Sequence, residues 1–231
     1  MIRKSLFVLA NSIKRSERCI AGREMMLVKG QSVLSSWLRP VSNHDEGELS
    51  FLERLCVTTN LEVGVGDMVE VGLDRPGTDQ TQPENWHLAG AGDWANVGTR
   101  FVRPTLDQLE EQPASLWLDP KVSTDRVCNT WLTQNPPRQS LYVVRTSDLV
   151  VQLTCDATGK PGYRCRFGYG GLHYDLSMTD PEARRKLTSQ MPRKAGNPVD
   201  VSLGTVRVCV SLARDFKGFH YKVIAMILEG L

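Results

Sequence analysis

The segment 163–169 places aromatic rings and guanidinium groups at alternating positions, in the order YRCRFGY. In an extended chain its rings and cysteine share one face, and Arg164 and Arg166 lie on the other. Rings such as that of Tyr169 stack on bases and guanidinium groups pair with phosphates, so these are the residue types of a single-stranded nucleic-acid platform. The same alternation is the ordinary signature of a half-buried strand with one solvated face. The pattern therefore predicts a strand and leaves its ligand open.

Basic residues also gather near the start of the chain, although the net charge is only +2. A charge so close to balance argues against a protein that coats DNA nonspecifically and is compatible with a local anion-binding face. Solvated surface explains the same charges equally well. The predicted nucleic-acid-binding residues are Lys14, Arg15, Arg18, Arg23, Arg39, Arg164, Arg166 and Tyr169.

A second candidate set consists of polar residues in three separate loops of the first half. Loops on a rigid barrel commonly carry binding groups, so we expect these residues to converge with Arg18 and Arg39 on one concave surface. The alternative is that they are solvated turn residues and a structural cysteine. The residues of this predicted ligand loop are Asn11, Cys19, Gln82, Glu84 and Asn85.

No recognised catalytic or metal-binding motif is present. The chain has no P-loop, HExxH, GxSxG or dinucleotide-binding GxGxxG sequence. His220 and Lys222 resemble the start of a phosphodiesterase motif, but the acid expected a few residues later is absent. The six cysteines include no C-x-x-C pair and only four histidines accompany them, so we predict no metal site and no cofactor. An enzyme that uses Arg18–Arg23, Arg39 and Gln82–Asn85 on an anionic substrate stays open as an alternative, although no catalytic motif supports it.

The second half is rich in strand signals separated by short glycine- or aspartate-bearing turns. One helix, from Pro181 to about Thr188, interrupts them, with Asp180 or Thr179 as its capping residue. This order suits a small Greek-key barrel such as an OB-fold, and an SH3-like barrel fits nearly as well. The predicted strands are 140–146, 149–154, 163–169, 172–176, 206–212 and 221–228.

The first half carries shorter strand signals, a long loop and a candidate helix. Asn135-Pro136-Pro137 is the clearest linker signal, which gives domains 1–135 and 136–231. The predicted fold class is therefore mainly β, with two tandem OB-like barrels and a few short helices. The predicted elements are strands 5–10, 25–28 and 33–37, a strand 61–73 bent at Gly64 or Gly66, a loop 74–85 and a helix 105–118.

No apolar run is long enough to span a bilayer, and the run near the N-terminus is shorter than a signal peptide needs. We therefore expect a cytoplasmic protein without a membrane partner, in which the cysteines are reduced. Proline at position 40 is expected to confine its strand to a sheet edge.

Short motifs along the whole chain, in this order, resemble the prokaryotic dual OB-containing domain family. They are LANS with RCIAG, then WLRPV, then QPEN, then SLY, and finally the run from Tyr169 to Pro181. The resemblance implies two OB-type barrels in bacterial proteins of conflict or antiviral defence systems. It also implies nucleic-acid or nucleotide recognition without established catalysis.

The leading functional prediction is a module that binds single-stranded nucleic acid or irregular ends. The alternative is a sensor or adaptor subunit that binds a protein partner or a small nucleotide, which the near-neutral net charge favours. Salt dependence separates the two, because phosphate binding weakens steeply with salt. We further predict that segment 163–169 exposes at least one aromatic ring beside its arginines.

Overall fold

The computed structural model describes residues 1–44, 47–192 and 195–228. The chain divides into two compact units, Met1–Leu109 and Glu110–Gly230. Each unit is built on strands, which confirms the predicted mainly β class. Within the described ranges, no helix combines the length and the apolar character needed to cross a membrane.

The first unit is a closed barrel of five strands. β1 pairs with β2, β2 with β3, β3 runs parallel to β7, β7 pairs with β6, and β6 returns to β1. The strands of this unit are β1 (Ile2–Lys14), β2 (Glu17–Val28), β3 (Gln31–Val41), β4 (Leu55–Cys56), β5 (Leu61–Glu62), β6 (Met68–Pro76), β7 (Asn85–Leu88) and β8 (Ala95–Asn96). Its helices are the 3-10 turn Leu52–Arg54 and α1 (Leu106–Leu109).

Alternation along β1 and β2 decides which residues enter the first barrel. Leu6, Val8 and Ile20 belong to its core, together with Leu38 of β3. A bulge between Val8 and Ala10 shifts the register of β1 against β2. An extra residue in one strand reverses the alternation and adds the bend that lets a sheet close on itself.

Gly22 of β2 lies directly against the backbone of β1. A Cβ atom there would lie 1.9 Å from the Phe7 carbonyl oxygen, which is backbone and cannot rotate away. We expect Gly22→Ala to destabilise the first unit by about 1–3 kcal/mol, because the strands must separate to admit the methyl group.

The matched control for this prediction is Gly168→Ala in the second unit, where the nearest atom would lie 4.0 Å from the new Cβ. Urea unfolding followed by hydrogen exchange of the amides in each barrel separates the two units. Equal unfolding free energies for the parent and the Gly22 variant would contradict the close approach.

Three sequence predictions for this unit need correction. The predicted strand 61–73 is two strands, β5 and β6, and the predicted helix 105–118 is only α1. Pro40 does not lie at an edge, since β3 pairs with both β2 and β7. The pairing of β3 with β2 ends at Leu38, and its pairing with β7 begins at Arg39. Pro40, which has no N–H to donate, therefore lies just after the hydrogen-bond ladder with β2 has ended.

The second unit repeats the same strand order as a ring. β10 pairs with β11, β11 with β12, β12 runs parallel to β14, β14 pairs with β13, and β13 returns to β10. The strands are β9 (Arg126–Cys128), β10 (Leu141–Cys155), β11 (Pro161–Tyr169), β12 (Leu172–Met178), β13 (Val199–Phe216) and β14 (Phe219–Leu228). The helices are α2 (Asn129–Gln134), α3 (Pro181–Leu187) and the 3-10 turn Thr188–Gln190.

Helix α3 follows the third strand of this ring and begins as the sequence predicts. The Asp180 carboxylate accepts hydrogen bonds from the backbone N–H groups of Glu182 and Ala183, and Pro181 occupies the first turn. Of the two capping candidates in the pattern TDPE, the aspartate is therefore the one that caps the helix.

The structure divides the chain at Leu109–Glu110 rather than at the predicted boundary of Asn135–Pro136. The intervening residues belong to the second unit. β9 pairs with β14, and Leu116, Trp117 and Leu132 pack into the second core. The two prolines therefore mark a connection within a unit, not a linker between units.

Candidate nucleic-acid interface

Strand β11 confirms the alternation that the sequence predicts. Cys165 and Phe167 are buried in the core of the second unit, opposite Leu176 and Tyr174 of β12. Burial raises the pKa of Cys165 to about 12, so its thiol behaves as a small apolar group. The alternate positions of β11 consequently face outward.

Arg164 and Arg166 occupy that outer face, with side chains 39% and 42% exposed. Arg164 pairs with Asp175 of β12 at 2.7 Å, and Arg166 pairs with Asp200 of β13. Both carboxylates are about half exposed. Ion pairs this exposed contribute roughly 0–1 kcal/mol, because water competes for both partners. The guanidinium groups therefore stay available to a stronger anionic partner.

The expected exposed ring beside these arginines is not found on this face. Phe167 is buried, and Tyr163 and Tyr169 are half-buried against the core. The Tyr169 hydroxyl donates a hydrogen bond to the Pro113 carbonyl oxygen at 2.8 Å, which fixes the ring. Strict alternation is the physical reason, since it sends every ring of β11 to the side opposite the arginines.

His173 supplies the one aromatic group that the structure places near them among the described residues of β12. It is exposed and pairs with Gly168 of β11. It lies two residues from Asp175, so it shares the outer face. His173 is not among the predicted binding residues, although the alternation of β12 could have indicated it.

In the first unit, Arg39 belongs to a buried cluster with three predicted ligand-loop residues. It forms an ion pair of 3.0 Å with Glu84, whose side chain is only 3% exposed. The Asn85 side chain donates to the Gln82 amide oxygen at 3.1 Å. These contacts hold the loop 77–84 against β3. The structure thus brings this part of the predicted set together but gives it no open surface.

The rest of the ligand-loop set is distributed over both faces of β1 and β2. Asn11 pairs with Ile20 and donates to the Val63 carbonyl at 3.0 Å, which places it on the core side of the barrel. Arg18 shares that side by alternation. Cys19 is half-buried on the opposite side. The predicted single concave surface therefore does not include all of these residues.

The remaining basic candidates of the first unit also have partners. Lys14 pairs with Glu48 at 3.1 Å, and Arg23 donates to the Ser35 carbonyl at 2.6 Å. Arg15 lies in the exposed turn between β1 and β2 with a φ of 55°. Of the predicted binding residues, only Arg164 and Arg166 combine exposure with a place on one open sheet face.

The corresponding outer face of β2 and β3 in the first barrel is covered. Trp37, opposite Arg23, is 4% exposed and Phe7 is fully buried. Arg103 lies 5.7 Å over the Phe7 ring, and the Val102 N–H donates to the Ser32 hydroxyl at 2.8 Å. The two barrels therefore share a topology, but the second barrel exposes this face and the first barrel covers it.

The chain was compared with curated proteins, solved structures and family models. No curated protein matches the chain. Among solved structures, the crystal structure of the tetrameric p202 HIN2 is similar over 98% of this chain and 93% of that one, at 10% identity and a TM-score of 0.27. A similarity this low supports no functional argument.

A family model described as the dual OB-containing domain matches residues 4–227. It spans both barrels, and it decides between the OB-fold and the SH3-like alternative in favour of the former. The chain belongs to the family of dual OB-containing domain proteins.

Proposed function

We propose that the outer face of β11 and β12 binds single-stranded nucleic acid. OB-folds use the face of their second and third strands for oligonucleotides and oligosaccharides. In the second barrel these strands are β11 and β12, and their outer face is open and carries Arg164 and Arg166. That exposed pair of arginines is the observation that supports the proposal.

Binding on this face is an exchange of anions. A phosphate group replaces Asp175 at Arg164 or Asp200 at Arg166, and a weak surface ion pair gives way to a charge-assisted contact. Since the rings of β11 point away from this face, stacking on it is limited to His173. Affinity therefore depends mainly on phosphates, with a steep salt dependence and little sequence preference.

Replacing both arginines with alanine is expected to weaken binding of a short oligothymidylate or oligouridylate. The slope of log K against log salt should flatten by roughly 0.7 for each lost phosphate contact. Asp175→Asn and Asp200→Asn should strengthen binding, because each substitution releases a guanidinium group from the carboxylate with which it pairs.

Arg185→Ala is the matched control, as Arg185 is 73% exposed and lies on α3. Fluorescence anisotropy across a salt series measures all of these variants. Unchanged affinity in the arginine variants, in protein that remains folded by circular dichroism, would exclude this face.

A protein partner is the second candidate, and an apolar hairpin tip favours it. Met26, Leu27 and Val28 are 41%, 46% and 46% exposed at the end of the β2–β3 hairpin, beside the 38% exposed Val33. Exposed apolar groups that adjoin one another mark interaction sites. Binding through this tip would be insensitive to salt and to the arginine substitutions.

A defence role in bacterial cytoplasm, which the family resemblance implies, belongs to the same proposal. Bacterial cells that express the parent protein should resist phage infection better than cells that express the double arginine variant.

A further inference from the structure

A groove of about 670 Å³ lies on the second unit, and neither Arg164 nor Arg166 lines it. Its volume falls in the range of roughly 300–1,000 Å³ that is usual for small-ligand sites. The groove is lined by the segment 110–114, by Arg145 and Ser147 of β10, by Tyr169 and Gly170, and by Thr205.

The charges around this groove leave one positive group uncompensated. Arg145 and Arg207 are neighbours across β10 and β13, and Arg207 pairs with Glu110 at 3.0 Å. Glu111 accepts hydrogen bonds from the Gln139 side chain at 2.8 Å and from the Val143 N–H at 3.2 Å. Arg145 is exposed and forms no ion pair with any residue that the structure describes. The groove therefore presents a free guanidinium group beside acids that are already engaged.

Hydrogen bonding and strand geometry fix the residues that line the groove. The hydrogen bond from Tyr169 to Pro113 fixes the ring, and burial raises the pKa of Tyr169, so the hydroxyl stays protonated as a donor. Ser147 is exposed, like Arg145 two residues before it, and a bulge in β10 between Thr146 and Leu149, with Asp148 at a φ of 60°, lies beside it. Bulges commonly redirect side chains next to binding sites.

Glycine at position 170 allows the turn after β11 to lie close to the segment 110–114. Its φ is 57°, and a Cβ atom there would lie 2.9 Å from the Ala114 carbonyl oxygen. Any other residue would move the segment 110–114 away from the turn. The groove thus combines a free cation, two hydroxyl groups, a fixed aromatic ring and close backbone.

We infer that this groove binds a phosphorylated nucleoside, with Arg145 on the phosphate and the Tyr169 ring against the base. Guanidinium groups recognise phosphate through paired N–H donors, and aromatic rings stack on any base. Ser147 and Thr205 supply hydroxyl groups for the sugar or the remaining phosphate oxygens. The ligand is either a free mononucleotide or the phosphorylated end of a strand.

Calorimetry with adenosine 5′-monophosphate, adenosine and inorganic phosphate tests the site directly. The monophosphate should bind more tightly than either of its parts. Arg145→Ala should weaken its binding about tenfold or more, whereas Arg145→Lys should lose less, because it keeps the charge without the paired donors. Arg185→Ala should change nothing.

The Arg164/Arg166 double variant separates this site from the strand-binding face. We expect it to bind the monophosphate like the parent, even if it no longer binds single strands. Equal binding of adenosine and its monophosphate, or an Arg145→Ala variant with parental affinity, would overturn the inference and leave the proposed strand-binding face untouched.

A 5′-phosphorylated oligothymidylate and its 5′-hydroxyl counterpart distinguish the two sources of the ligand. A preference for the phosphorylated strand that disappears in Arg145→Ala supports recognition of a strand end. Arg145-dependent binding of the monophosphate without that preference supports a free nucleotide. A preference for the phosphorylated strand that persists undiminished in Arg145→Ala, together with monophosphate binding that also persists in that variant, would rule the groove out for both.

Discussion

Replacing Asp180 with alanine is expected to lower the free energy of unfolding of the second unit by about 3 kcal/mol. The carboxylate is 1% exposed and accepts three backbone hydrogen bonds. Two come from Glu182 and Ala183 at the start of α3, at 2.8 and 2.9 Å, and one comes from Ile227 of β14 at 2.8 Å. The substitution removes a helix cap and also leaves a buried N–H without a partner.

Asp156→Ala is the matched control for this effect. Asp156 also accepts three hydrogen bonds, from the Thr158 N–H and hydroxyl and from the Lys160 N–H, but its turn is exposed. Water can replace these bonds, so the cost should stay below about 1 kcal/mol. Hydrogen exchange at the Ile227 amide measures the difference. Similar costs for both variants would show that burial at Asp180 contributes little.

Lys222 should make the stability of the second unit rise with pH by about 2 kcal/mol between pH 7 and pH 10. Its side chain is 2% exposed. The ammonium group donates to the Thr124 carbonyl oxygen at 2.8 Å and lies 5.6 Å over the Tyr174 ring. Burial lowers the pKa of Lys222 from 10.5 to about 8, although Asp125 and Asp119 act in the opposite direction.

The sign follows from the proton balance. Between pH 8 and 10.5 the unfolded chain keeps the lysine proton that the folded chain has lost, so raising the pH favours the fold. Lys222→Met removes this titration, and the parent should gain about 2 kcal/mol relative to the variant over pH 7–10. The difference in unfolding free energy between the parent and the variant does not contain the contribution of the tyrosines that titrate in the same range, because both proteins share it.

Denaturant unfolding at a series of pH values provides the measurement. Lys160→Met, in an exposed turn, serves as the control and should leave the pH dependence of the parent unchanged. A constant difference between the parent and Lys222→Met across this range would mean that the ammonium group is solvated in the folded protein.

Alternation predicted most of the second barrel because its strands have one apolar and one polar face. The predicted strand 163–169 is contained in β11, and 172–176 in β12. The helix predicted from Pro181 ends at Leu187. In each case the deciding signals are local, namely period-two burial and a capping aspartate before a proline.

Features that depend on distant partners could not be predicted in this way. Arg39 has the same local sequence signals as an exposed binding residue, yet the loop 77–84 brings Glu84 onto it. Asp200 lies far along the chain from Arg166 and becomes its partner only through the pairing of β10 with β11 and β13. Charge partners across a barrel follow from register, which a single sequence does not specify.

The domain boundary illustrates the same limit. Asn135-Pro136-Pro137 is a strong local breaker, but the strand β9 before it completes a sheet with β14. Local composition marks where a chain turns, whereas long-range pairing decides which unit a segment joins. The groove at Arg145 was missed for a related reason, because the segment 110–114 reaches it only in the folded unit.

Chemical-shift mapping with a short oligothymidylate tests the central proposal most directly. We expect the amides of β11 and β12 around Arg164, Arg166 and His173 to shift in proportion to added strand, and the shifts to diminish as salt is raised. The amide resonances of the covered face around Trp37 should keep their chemical shifts. Shifts confined to the first unit, or shifts at β11 and β12 that are insensitive to salt, would contradict the proposed interface.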